Sequence, residues 1–178
     1  MAYTHDTWFD KPSVKSDINP IVQAISDWYD AHETKVNTST KYLWHHLSRI
    51  SAIEAERLLR KYNVAAELVR GQPYQTEEEM FQDISKGKLL VSTDNTEHPI
   101  QGTLETYIGR IWHDMTHYEA QTNFSFQGEC DTYYAQVAQA KEYHPEFYAT
   151  VRYCLYLDIV CQVASGTVYK CFPIQKTF

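Results

Sequence analysis

Along most of the chain the apolar residues recur every three or four positions, the spacing that lines one face of a helix. Asn19 followed by Pro20 is a helix start, an N-cap with proline in the first turn, and Ile21, Ile25, Trp28 and His32 continue at helical spacing. A longer helix is predicted over "TSTKYLWHHLSRISAIEAERLLRKYN", ending near Asn63, then a short helical piece over "VAAELVR" that Gly71 stops. Thr76 with Glu79 forms a capping box, opening a helix through Ile84 that Gly87 ends. The helical period disappears in "KLLVSTDNTEHPIQG", where Leu89 to Ser92 suits a short strand and the rest suits loop. Thr103 is predicted to cap a helix to about Gln121, and Glu129 to begin another that breaks before Pro145. A last helix is predicted from Pro145 to Ser165, ended by Gly166 and followed by an irregular tail, "TVYKCFPIQKTF". The expectation is an all-α fold: one helical domain over residues 1–178, a bundle with a short irregular or strand-like segment near 88–102.

Three polar features break this pattern. In the second helix Leu43, Leu47, Ile50 and Leu58 make the apolar stripe, and Glu54 sits at its centre. A carboxylate there is costly unless paired, hydrogen-bonded or bound to a metal, and Arg57 is a local partner. His46 flanks the same stripe, whereas His45 points away. The last helix is apolar almost all round in "YCLYLDIVCQVA", with Asp158 its only charge, so Asp158 is expected to be nearly inaccessible. A buried aspartate either anchors a structural network or serves a site, and the sequence leaves both open. In the helix from Thr103, Leu104, Ile108, Ile111, Met115 and Tyr118 form the stripe. His113 and His117 fall on the opposite face beside the small residues Thr106, Gly109 and Ala120, so another element or a ligand could approach closely there.

Composition narrows the function classes. With 43% apolar and 22% charged residues in 178, the chain has the profile of a globular protein large enough for a real core. Its net charge of −7 and the absence of a Lys/Arg cluster argue against nucleic-acid or anionic-membrane binding. The opening "MAYTHDTWFD" lacks the features of a signal peptide, and no apolar run reaches membrane-spanning length. The expected location is therefore the cytoplasm. The four cysteines, Cys130, Cys154, Cys161 and Cys171, form no CxxC pair and are expected as free buried thiols.

The chemistry concentrates in "IWHDMTHYEAQTNFSFQGE", residues 111–129. Histidines four apart on a helix place both imidazoles on one face, the spacing that grips zinc when a third ligand arrives from elsewhere. Glu129 can return to them after the "NFSFQG" turn, and Asp158 is a further candidate ligand. The proteases built on HExxH carry a Glu after the first histidine; here it is Asp114, so that motif is not met. The same residues also suit two solvated histidines at an ordinary helix end, with Glu129 favoured in a first turn by the helix dipole.

Two family resemblances follow from these residues. His46, the doublet His113-Asp114 and the distant Asp158 resemble the order found in HD-type phosphohydrolases, which implies metal-assisted hydrolysis of a phosphoester or nucleotide. "HDMTH" followed by "FSFQGE" resembles uncharacterised phage and mobile-element proteins with an HDxxxH…F…GE pattern, although His117 stands one position earlier than there. That resemblance implies a viral or mobile-element setting, with host cytoplasm as the location, and no activity. A di-iron bundle would need ExxH motifs from two helices, and neither "EAER" nor "HDMTH" supplies one cleanly.

The sequence thus points to a metal-dependent hydrolase. A divalent ion (zinc, manganese or iron) would be held by His113, His117 and Glu129 or Asp158, and it would act on a small-molecule or phosphoester substrate. Asp114 or Glu54 would take a proton from metal-bound water or orient a ligand histidine. The alternative is a non-enzymatic phage or mobile-element protein that binds a host protein through an acidic surface rich in its 14 tyrosines.

Overall fold

The structure is a computed structural model that describes residues 19–169 and 175–178. Helix dominates, with one short two-stranded parallel sheet, so the fold is all-α as the periodicity indicates. The elements are α1 (Pro20–Ala31), α2 (Thr38–Tyr62), β1 (Ala65–Val69), α3 (Glu77–Ser85), β2 (Lys88–Ser92), α4 (Thr103–Ala120), α5 (Phe126–Tyr143), α6 (Tyr148–Leu155) and α7 (Gln162–Tyr169). A 3-10 turn (Pro145–Phe147) precedes α6, and a π-helical segment (Tyr156–Cys161) joins α6 to α7. The "MAYTHDTWFD" opening and Cys171 lie outside the described residues. Cys130, Cys154 and Cys161 are free thiols, the last two buried. Among the described residues no helix is long and apolar enough to cross a membrane.

The helix ends follow local chemistry where the capping groups are in place. Asn19 Oδ1 accepts from the Ile21 amide at 2.9 Å, with Pro20 leading α1. Asn37 and Thr40 exchange hydrogen bonds at the start of α2, and Asn63 ends it in the left-handed region at φ 54°. Thr76 caps α3, and Gly87, at φ 86°, turns the chain into β2.

Three expectations are corrected. "VAAELVR" is the strand β1 rather than a helix, pairing in parallel with β2 from Ala65↔Lys88 to Val69↔Ser92. Its Ala, Glu and Leu residues favour helix locally, but the backbone pairing with β2 prevails. Next, α5 begins at Phe126, three residues before Glu129, because Ser125 is the N-cap and accepts from the Gly128 amide at 3.1 Å. Last, Gly166 does not stop the final helix, which continues to Tyr169 after the π-helical segment.

The core gathers between α2, α4, α5 and the α6–α7 stretch, with Trp44, Leu47, Leu58, Trp112, Met115 and Leu157 all 2% exposed or less. Helix α4 is covered on the face that the sequence left open. Leu104, at the start of its predicted stripe, is 67% exposed, whereas Trp112 and His117 are fully buried. Trp112 Nε1 donates to Gln139 Oε1 at 2.6 Å, and Gln139 in turn donates to Glu119, which also pairs with Lys61 of α2 at 2.6 Å. This chain of polar contacts, buried at Trp112 and solvent-exposed at Lys61, links α4 to both α2 and α5.

Glu54 faces the interior with no exposed surface, as its place in the stripe requires, and both oxygens are engaged. Oε2 accepts from Arg57 Nε at 2.7 Å and Oε1 contacts His144 Nε2 at 2.9 Å, tying α2 to the end of α5. Removing the carboxylate would leave two hydrogen-bond donors without their acceptor. Glu54→Ala is therefore expected to lower stability by about 2–4 kcal/mol in urea denaturation while metal uptake at the His113 site is unchanged. Loss of metal uptake without loss of stability would contradict this placement.

Candidate metal centre

His113, His117 and Glu129 converge, with one ligand atom from each lying within 4.8 Å of the others. The contacts are closer than that: His113 Nε2 to Glu129 Oε2 is 3.0 Å, His113 Nε2 to His117 Nε2 is 3.0 Å, and His117 Nε2 to Glu129 Oε2 is 3.4 Å. Ligand bonds of 2.0–2.2 Å at tetrahedral angles put neighbouring donor atoms about 3.3–3.6 Å apart, so the cluster is close to the size of three corners around one ion. His117 and Glu129 are at most 1% exposed, and His113 opens to the adjoining cavity.

Local sequence explains the convergence. Gln121 ends α4 in the left-handed region at φ 54°, and the amides of Gln121 and Thr122 both turn back onto the His117 carbonyl. Asn123 Oδ1 accepts from the Ser125 amide at 3.0 Å, and Ser125 then caps α5. The turn closes so tightly that a Cβ on Gly128 would stand 2.0 Å from the Asn123 carbonyl oxygen. Only glycine permits that approach, and the next residue is Glu129.

Neighbouring groups set the tautomer of each imidazole. His113 Nδ1 contacts Gln136 Oε1 at 3.1 Å, an acceptor, so Nδ1 carries the proton. His117 Nδ1 lies 2.9 Å from Thr122 Oγ1, 3.0 Å from Thr132 Oγ1 and 3.3 Å from the Thr122 carbonyl. Thr132 Oγ1 donates to the Gly128 carbonyl at 2.9 Å, which leaves its lone pairs for His117 Nδ1–H. In the neutral rings both Nε2 lone pairs therefore point to the same place as Glu129 Oε2. The other oxygen, Glu129 Oε1, is buried with no hydrogen-bond partner. Three bare donor atoms and an orphan carboxylate oxygen suit a cation.

Without a metal, a proton takes that role. Burial alone would depress His113, but the charge and hydrogen bond of Glu129 outweigh it and lift the imidazole to about 9. Burial would likewise raise Glu129, yet His117 and His113 hold it down at about 2. A bound ion has to displace this proton.

The cluster forms part of the wall of a cavity of about 290 Å³. Asp114 and Asp158 line it too, and neither carboxyl makes a hydrogen bond or ion pair with another described residue. Burial pushes Asp158 up to about 6, and burial also raises Asp114 against the pull of His113. Asp158 is half-buried rather than inaccessible, because the cavity opens beside it. It lies outside the group of three that converges. Glu54 does not line the cavity, and His46 packs between Tyr42 and Phe147, its ring stacked 4.5 Å from that of Phe147.

Sequence reasoning missed Thr132 and Gln136, although they follow Glu129 at i+3 and i+7 on one face of α5. It also missed Arg110 and His98. Arg110 Nη1 donates to the Ser92 and Asp94 carbonyls, both at 2.7 Å, and Nη2 to the Asn95 carbonyl, so the loop after β2 is clamped onto α4. His98 Nδ1 accepts from the Ile100 and Gln101 amides at 3.0 and 2.8 Å, and its ring lies 4.4 Å from that of Trp44. Its Nε2–H is buried without a partner, and burial lowers the imidazole to about 4.

Comparison of the chain with protein-family models, curated protein sequences and solved structures finds no match. What the molecule does must be read from the chemistry of this site.

Two outcomes follow from this geometry. Gly128→Ala is expected to push Glu129 out of the cluster, lowering zinc affinity at least about tenfold in a chelator competition and stability by about 1–3 kcal/mol. Unchanged zinc affinity would show that the tight turn does not set the cluster. His98 titrates at about 4 in the folded protein against an ordinary 6.5, so its contribution is fully present above 6.5 and is lost as pH falls towards 4. In His98→Asn, whose Oδ1 can accept the same two amides, urea stability should fall less between those pH values than in the parent protein. An equal fall would assign the acid sensitivity elsewhere.

Proposed function

We propose that this protein is a metal-dependent hydrolase whose divalent ion is held by His113 Nε2, His117 Nε2 and Glu129 Oε2. The supporting observation is the convergence of three lone-pair donors at 3.0–3.4 Å on the wall of a cavity that also carries two carboxyl groups without a hydrogen bond to another described residue. Three protein ligands beside a cavity suit a catalytic site, whereas a structural site is closed by four. Two imidazoles and a carboxylate accept zinc, manganese or iron. When bound, such an ion lowers the pKa of a coordinated water from about 15.7 toward about 7.

The chain's own residues supply the rest. Gln136, Thr122 and Thr132 hold the two imidazoles in the tautomer that frees Nε2. Asp114, next to His113 in the chain, would accept a proton at the cavity wall, with Asp158 a second carboxyl group on that wall. Trp112 is fully buried beside the cluster, and the Phe124 ring lies 5.3 Å from that of His117.

The test combines metal content with turnover. Protein purified without added metal, then loaded with zinc, manganese or iron, should bind one equivalent. His117→Ala should lose it while the fold survives, and Glu129→Gln should weaken binding less. Loaded protein should hydrolyse an activated ester such as p-nitrophenyl acetate, with chelation abolishing turnover. Asp114→Asn should keep the ion and slow turnover about a hundredfold. Metal uptake with no hydrolysis by any loaded form would favour the non-enzymatic binding protein, and no uptake would end the metal reading.

A further inference from the structure

The cavity wall carries an unequal balance of charge. Beyond the three candidate ligands, the described residues of the wall present four carboxyl groups, those of Asp94, Glu97, Asp114 and Asp158, and one guanidinium, that of Arg110. Arg110 is already engaged with three backbone carbonyls of the loop after β2. Sites for phosphate use free Arg or Lys forks, or the exposed amides of a helix N-terminus. The described wall offers neither, so an anionic group would meet carboxylates with only the metal ion in its favour.

The same wall has acceptors in search of donors. Asp114 and Asp158 make no hydrogen bond or close ion pair with another described residue, and a carboxyl group in an enclosed site is costly unless something hydrogen-bonds to it. Leu90, Trp112, Phe124, Leu155 and Ile159 supply apolar surface to the same cavity. His98, whose Nε2–H is unpartnered, adds one donor. We infer that the cavity takes a small, largely apolar molecule that is not anionic and that presents hydrogen-bond donors, an amine or hydroxyls, to Asp114 and Asp158. This rests on the metal-dependent reading of the same site and narrows it. A phosphoester or nucleotide, the substrate implied by the resemblance to HD-type phosphohydrolases, is the poorer fit.

Three probes of matched shape separate the possibilities: phenethylamine, 2-phenylethanol and phenyl phosphate, each titrated into zinc-loaded protein by calorimetry. The amine and the alcohol are expected to bind at least about tenfold more tightly than phenyl phosphate. Asp158→Asn, which lies outside the ligand set, should weaken the amine about tenfold and strengthen phenyl phosphate. Circular dichroism checks that this variant folds, and Asp158→Ser repeats the test with a smaller side chain. Tighter binding of phenyl phosphate, no binding of any probe, or insensitivity of the order to Asp158 overturns the inference. The visible spectrum of the cobalt-substituted protein reports the metal separately. If cobalt does not bind, the metal reading fails, and the order of the probes on metal-free protein still decides whether the cavity rejects anions.

Discussion

The geometry of the molecule turns on one reversal of the chain, between His117 and Glu129. Helix α4 ends in a left-handed residue, Gln121, and α5 starts only five residues later at Phe126. Within that span the His117 carbonyl accepts two amides, Asn123 shapes the turn, and Gly128 lets α5 press against the Asn123 backbone. A looser turn would leave Glu129 on α5 without bringing it within 3.4 Å of both imidazoles. The threonines that orient His117 come from either side of the same reversal, Thr122 before it and Thr132 after it. The candidate ligands and the groups that orient them are therefore parts of one hairpin, which is how side chains can be held to a fraction of an ångström.

The rest of the fold builds a cavity onto that hairpin. The β1–α3–β2 unit delivers the loop after Ser92 to the open side of α4, where Arg110 fastens its carbonyls. Gln101 Nε2 donates to Ser48 Oγ at 2.8 Å, and the His98 ring rests against Trp44, so the same loop is also held by α2. Another part of the wall comes from the π-helical segment, which carries Asp158. Wide turns of this kind recur near functional sites because they displace side chains from the regular helical phase. A loop with little regular structure thus becomes a defined wall, through backbone acceptors given to one arginine.

Legibility in the sequence follows the range of the interactions concerned. The start of α1, the end of α2 and both ends of α3 could be read because the residues that cap them are adjacent in the chain. The pairing of His113 with His117 could be read because it depends only on helical spacing, and Glu129 because the turn between is short. Strand β1 could not, since its residues favour helix and only β2, brought in across α3, makes it a strand. The start of α5 was obscured because Ser125 and Asn123 look like loop residues until the capping contacts form. The roles of Arg110 and His98 depend on carbonyls and amides of a loop whose path no local pattern dictates. Glu54 shows the opposite limit: its burial was legible, but its long-range partner, His144, was not.

The hairpin's charges are expensive as elements of stability. Two imidazoles and a carboxylate lie together with their mutual contacts at 3.0–3.4 Å, and one carboxylate oxygen has no partner at all. Buried ionisable groups of this kind commonly cost more in lost hydration than their attraction returns, and apolar side chains of similar size would pack the same space at no loss. Glu54 differs, because Arg57 and His144 engage both of its oxygens and it joins two helices. The cavity acids extend the contrast, since Asp114 and Asp158 make no hydrogen bond or close ion pair with another described residue. A site that leaves its acceptors unmet, while fixing the tautomers around them, is arranged for something that arrives from solution. The three converging atoms could hold a metal ion, and in the reading proposed above the two aspartates would meet a donor carried by the molecule that fills the cavity.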